Sequence, residues 1–280
     1  MITDYNKHLF RLTAASCIPL TLKKRTIMEV RDKLNTAEKY QSLIDMKRAF
    51  ISEELKDLGE LEQEKILGHP VDNDIIFNIS YSIFEEQKAV FIALYSKGEA
   101  IHNLIPEYRS LIDYMDKGWN KIGGYVQMIW MLSCGIMLNT PLSEFEKMTV
   151  LVKAQGLKDF LIDFLIRYKI PAWDISTNDF VDIRPYKGLQ DVILLSKQDK
   201  EKAVNRLKTY LSKEWYRGHS DCGWHDNHKT ASIHFGYWSF ESGALVKILG
   251  LDDSSLKGLQ YYPYDMVHWD ENRNDINNAG

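Results

Sequence analysis

Tyr125-Val-Gln-Met-Ile-Trp-Met-Leu-Ser-Cys-Gly-Ile-Met-Leu138 is apolar nearly all round a helical wheel. A helix with no polar face belongs in the centre of a structure, covered by other elements on every side. No apolar run in the chain approaches the roughly 18 residues of a transmembrane helix, so the stretch reads as a core helix and no membrane partner is expected.

On the N-terminal side, Tyr40, Leu43, Ile44, Lys47, Phe50, Ile51, Leu55, Leu58 and Leu61 recur at three- and four-residue steps. That spacing predicts a long amphipathic helix, with Asn35 as N-cap, Glu38 as its capping-box partner, and Gly68 and Pro70 as a stop. A second helix is expected from Asp72 or Asp74 to Gly98. A third follows with Pro106 at its first turn and Gly118 at its end. On the C-terminal side, Thr140-Pro141 opens a helix to Gln155, Leu157–Tyr168 forms another, and Pro171 begins a loop to 185. Leu189–Leu195 is a short apolar segment. Ser196 with Asp199 starts a helix to Trp215, residues 218–236 are irregular, and Trp238–Leu249 is the last clear helix, closed by Gly250. Strand alternation and internal repeats are not evident.

The expected fold is therefore all-α: a multi-helix bundle in two closely packed parts with an extended C-terminal strap. Residues 1–27 read as a peripheral extension, 28–140 as an N-terminal helical domain, 141–268 as a C-terminal helical domain and 269–280 as a loose tail. The seam falls between Leu138 and Gly156, where the central helix serves both sides. At 280 residues and 45% hydrophobic content the chain can bury a sizeable core.

Cys17, Cys134 and Cys222 are few and scattered, which argues against a disulfide framework and for a reducing, cytoplasmic location. Leu12–Cys17 resembles a lipoprotein cleavage box, but Arg11 interrupts the apolar run before it and leaves it too short for a signal-peptide core. Net charge is −4, and residues 250–280 carry all of it, with six acidic groups against two basic. The body of the chain sums to zero. Bulk charge thus offers no basic face for nucleic acid, and Lys23-Lys24-Arg25 reads as a solvated patch. The acidic end is suited to attracting a basic partner.

Chemical motifs are sparse. His219, Cys222, His225, His228 and His234 invite a zinc site and a metal-dependent hydrolase, but they lack paired metal-ligand spacings. Surface histidines with one buried thiol is the favoured reading, and no metal or cofactor is expected. Glu241, on a mostly apolar helix, has the setting of a raised-pKa acid or base but no second catalytic group at a readable spacing, so no catalytic residue is assigned and a carboxylate satisfied by Tyr or Trp is expected. Tyr237, Trp238 and Phe240 with Tyr261, Tyr262 and Tyr264 form the densest aromatic cluster. Without interleaved Lys or Arg they read as packing rather than base stacking. Nucleotide-binding and nucleophile-elbow motifs are absent.

Two stretches of sequence resemble the PoNi-type immunity proteins of bacterial polymorphic-toxin systems. Met28-Glu-Val-Arg-Asp-Lys-Leu and the helices to Leu138 are similar to the family's N-terminal part. Lys208-Thr-Tyr-Leu-Ser-Lys-Glu-Trp-Tyr-Arg-Gly-His219, Phe235-Gly-Tyr-Trp-Ser-Phe-Glu241, Leu249-Gly-Leu-Asp-Asp-Ser-Ser-Leu256 and Tyr262-Pro-Tyr-Asp265 are similar to its C-terminal part. Trp215, Tyr237, Trp238, Phe240, Glu241, Tyr262 and Tyr264 carry that motif. The resemblance implies a cytoplasmic, non-enzymatic protein that binds and neutralises a cognate DNase toxin as a heterodimer. Homo-oligomerisation stays open. The segment before Met28 departs from the family pattern. Asp252, Asp253, Asp265, Asp270 and Glu271 are the expected toxin-binding edge, because a DNA-cutting partner needs a basic groove for phosphates.

Overall fold

A computed structural model of the chain describes residues 29–230 and 232–270. The 1–27 extension, with the Leu12–Cys17 box and the Lys23-Lys24-Arg25 patch, lies outside the described residues, as do Glu271 and the rest of the tail. The described residues are all-α, without strands. The long elements are α1 (Ala37–Ile66), α2 (Asn73–Lys97), α3 (Ile101–Gly118), α4 (Lys121–Met137), α5 (Leu142–Ala154) and α6 (Phe160–Lys169). After a loop come α7 (Lys187–Ser196) and α8 (Lys200–Thr209), which runs through a π-helical segment, Tyr210–Trp215, into α9 (Tyr216–Gly218). α10 (Phe240–Leu249) and the short α11 (Tyr264–Val267) complete the set.

α4 is buried from Tyr125 to Met137 except at Val126, and it packs on α10, α6 and α5. α1 packs on α2, α2 on α3, and α3 on α5; α7 packs on α8 and α10. One continuous apolar core runs from Tyr40 to Val267 through both halves of the chain. Among the described residues no helix is long and apolar enough to cross a membrane.

Several helix ends differ from expectation for identifiable reasons. Thr36, not Asn35, caps α1: its backbone is extended and its side chain accepts from Lys39 N–H, while the Asn35 side chain accepts from Thr36 N–H. Pro106 lies inside α3 rather than at its start. Buried Ile101 and Leu104 hold the turn ahead of it in the core, and the carbonyl that the proline leaves without a donor belongs to exposed His102, where solvent can satisfy it. α4 begins at Lys121, one turn before the apolar run, because the Asn120 side chain accepts from Ile122 N–H. Asp199, not Ser196, caps α8; Ser196 ends α7 and donates to the Ile193 carbonyl. Within the C-terminal strap, Ser254–Leu256 forms a 3-10 turn and Tyr264–Val267 the short α11. Trp269, expected in the tail, donates its Nε1–H to the Met137 carbonyl at 2.7 Å.

Gly118 sets the α2–α3 approach. A Cβ there would lie 2.4 Å from the Tyr81 amide nitrogen and 2.7 Å from the Ser80 carbonyl carbon. Both are backbone atoms of a packed helix, so neither can step aside. Gly118→Ala is expected to destabilise the fold by about 3 kcal/mol, the upper part of the range for overpacking. Urea denaturation would test this, and a loss under 1 kcal/mol would show that the helices part cheaply.

Candidate functional site

The C-terminal motif residues converge on the segment ahead of α1. Asp32, buried, accepts from His234 Nε2 at 2.8 Å and from the Tyr237 backbone N–H at 3.2 Å, and its other oxygen accepts from Leu34 N–H. The remaining ring nitrogen of His234 meets Asn227 Oδ1 at 2.7 Å. Arg31 adds a second tie: it donates to Asp265 at 2.6 Å and to the carbonyls of Tyr95 and Glu99, with its guanidinium over the Tyr95 ring. Ser96 donates to the Phe235 carbonyl and accepts from Trp238 Nε1. Gly236 makes that contact possible, since its φ is +117° and a Cβ would sit 1.9 Å from Ser96 Oγ. A cavity of about 540 Å³ opens beside these ties, lined in part by Arg31, Tyr95, Trp238, Tyr261 and Tyr264.

Below this layer Trp215, Tyr237, Trp238, Phe240 and Tyr262 are buried and Tyr264 is half-buried. Glu241 is fully buried. One oxygen accepts from Trp215 Nε1 at 2.7 Å, Ser239 Oγ at 2.7 Å and Tyr210 at 3.4 Å, while the other has no partner among the described residues. Burial pushes its carboxyl up to about 7, against the opposing pull of these donors. The π-helical Tyr210–Trp215 segment supplies both aromatic donors, so an irregular turn aims them at the carboxylate.

The His/Cys segment differs from the expected surface histidines around a buried thiol. His219 and His234 are buried, and Cys222 is half-buried. His219 lies between Tyr186 OH and the Trp215 carbonyl, and burial lowers its pKa to about 4. His228 is engaged by Tyr237 OH, and His225 stacks on Tyr216. The chain folds these rings into aromatic packing because each imidazole finds a nearby hydroxyl, carbonyl or ring. Among the described residues no group of three or more His, Cys, Asp or Glu is placed to hold a metal ion.

The acidic edge is also rearranged. Asp253 is buried rather than exposed: it accepts from Tyr262 OH at 2.5 Å and faces His268 Nε2 at 2.9 Å, partners that replace the water it gives up. Asp265 is exposed but paired with Arg31, and Asp270 is half-buried against Lys247 and Asn139. Asp252 is exposed, without an ion pair among the described residues, and hydrogen bonds from Ser254 hold its carboxyl below the usual range.

A second acidic surface lies on α1. Met46, Phe50, Glu53, Asp57, Glu60 and Glu64 follow one another at steps of four and three, so they form one stripe, and all six are exposed. Glu53 and Asp57 have no ion pair or hydrogen bond among the described residues. Glu60 has only a loose contact with Lys56 at 3.7 Å, and Glu64 meets His69. The pairs 53/57, 57/60 and 60/64 set like charges three or four residues apart, which costs an isolated helix about 0.2–0.5 kcal/mol each. Glu64 also lies in the last turn, where the helix dipole disfavours a carboxylate. A groove of about 780 Å³ runs along this part of α1, lined by Lys56, Asp57, Glu60, Leu61 and Glu64 and by Ile79 of α2.

Comparison with known proteins is decisive on kinship. The model of PoNe immunity proteins (PoNi), N-terminal, matches residues 31–150, and that of PoNi, C-terminal, matches residues 157–266. The chain belongs to the PoNi family. Among solved structures, protein PA2201 from Pseudomonas aeruginosa is similar at 18% identity with a TM-score of 0.56, covering 88% of this chain and 99% of that one, a likeness of fold. No curated protein matches the chain. The ties at Asp32 and Arg31 thus join the two PoNi segments, one from each family model.

Sequence reasoning missed the α1 stripe of this PoNi-family chain because the body sums to zero charge. The local signal is nonetheless present: residues 53–64 hold six carboxylates against the single Lys56. The roles of Asp32 and Arg31 left no such signal, since each depends on partners some two hundred residues away.

Proposed function

We propose that this chain is an immunity protein that binds and neutralises a DNase toxin delivered by a bacterial secretion system, protecting producer and kin cells. The observation that carries the reading is the match to both PoNi segments, across residues 31–266. The chain acts by binding in the cytoplasm, one copy to one toxin, and not as an enzyme. Asp252 is the carboxylate of the C-terminal edge left open to contribute to steering.

Co-expression with a nuclease toxin from a neighbouring gene should restore growth, and the two should co-purify. In vitro, plasmid cleavage should stop only when the chain is equimolar with toxin; an enzyme would act far below that ratio. Undiminished cleavage at excess chain would overturn the reading, and protection without any DNA cleavage by the toxin would overturn its DNase part.

A further inference from the structure

We propose that the exposed stripe of α1, Met46, Phe50, Glu53, Asp57, Glu60 and Glu64, is the docking surface for the basic DNA-binding cleft of the toxin. The inference rests on the nuclease reading above and names the surface that serves it. Three features of the helix point to this occupant. Its apolar end leaves two large side chains partly in solvent, Met46 at 55% and Phe50 at 42%. Its acidic end sets four carboxylates along the same line, two of them without partners among the described residues, beside a groove. Neighbouring carboxylates of the stripe repel one another, and Glu53 and Asp57 have no cation among the described residues to offset this.

A cleft that binds DNA carries Lys and Arg spaced to meet phosphates. Carboxylates one helical turn apart meet such cations, and the repulsion along α1 is relieved when they do. Phe50, at the apolar end, is the anchor that excludes water from the contact. The C-terminal edge is less suited, because Asp253 is buried and Asp265 and Asp270 already have cationic neighbours.

The test titrates the full chain against the catalytically inactivated toxin from the neighbouring gene, with a labelled DNA duplex bound to that toxin. The wild-type chain should displace the duplex. Glu53→Gln/Asp57→Asn/Glu60→Gln should weaken binding by about 100-fold and flatten its salt dependence, with the thermal midpoint unchanged or raised. Phe50→Ala should weaken binding by about tenfold. Glu146→Gln, at an exposed carboxylate of α5 outside both acidic surfaces, serves as the control and should leave affinity unchanged. Unchanged affinity and salt slope in the triple variant, with the wild type still binding, overturns the stripe and leaves the immunity reading standing. Loss of binding together with a lowered midpoint marks the stripe as structural and overturns it too. A wild-type chain that neither binds toxin nor displaces DNA overturns both.

Discussion

Asp32→Ala is expected to lower the unfolding free energy by about 3 kcal/mol or more, at about 1–3 kcal/mol for each buried donor left without an acceptor. The carboxylate is buried and serves three donors at once: His234 Nε2, the Tyr237 amide and the Leu34 amide. Alanine leaves all three without this acceptor, at a side chain only 7% exposed. Asp32→Asn keeps one carbonyl oxygen and should lose less. Urea denaturation of the three proteins measures the difference. A loss below 1 kcal/mol for the alanine variant would mean that the segment ahead of α1 is not held by this tie. Because Asp32 joins parts of the chain some two hundred residues apart, the loss should register on the whole cooperative transition and not as local fraying.

The second large effect is a pH dependence centred on Glu241. Its carboxyl is raised from 4.5 to about 7 by burial. Below about pH 4.5 it is protonated in the folded and the unfolded chain alike, so it contributes no difference. Between 4.5 and 7 the unfolded chain releases the proton while the folded chain keeps it, and stability falls as pH rises. Above about 7 the contribution levels off, with a total of roughly 3 kcal/mol lost. His219 works in the opposite sense. Its folded pKa is lowered to about 4, so stability is lost as pH falls from the unfolded value of 6.5. The two slopes overlap, and the Glu241→Gln variant separates them. It keeps an acceptor for Trp215 and Tyr210, and its pH profile should differ from wild type by a curve that declines between 4.5 and 7. Parallel profiles would show that Glu241 does not titrate in this range.

Much of the fold was legible along the chain because helices are local. Burial of α4 follows from its all-round apolar pattern, and α1 and α2 follow from three- and four-residue spacing. Boundaries slipped where a cap depended on which of two neighbouring side chains reached an amide, as at Asn35 and Thr36, or where buried residues held a turn ahead of a proline, as at Pro106. The candidate site was less legible. Counting charges located acids at the C-terminal end but did not reveal that Asp253 would fold inward onto Tyr262 and His268. The same counting averaged away the α1 stripe, whose meaning depends on which helix face stays uncovered.

The sequence by itself determined the all-α class, the central helix, and the family motifs that place the chain among PoNi immunity proteins. These depend on residue type and spacing over a few turns. Only the tertiary structure decided which carboxylates stay in solvent, which histidines become core groups, and how Arg31 and Asp32 lock the lead-in of α1 to the residues around Tyr237 and Asp265. Those outcomes depend on desolvation and on partners distant in the chain, and local spacing carries no record of either.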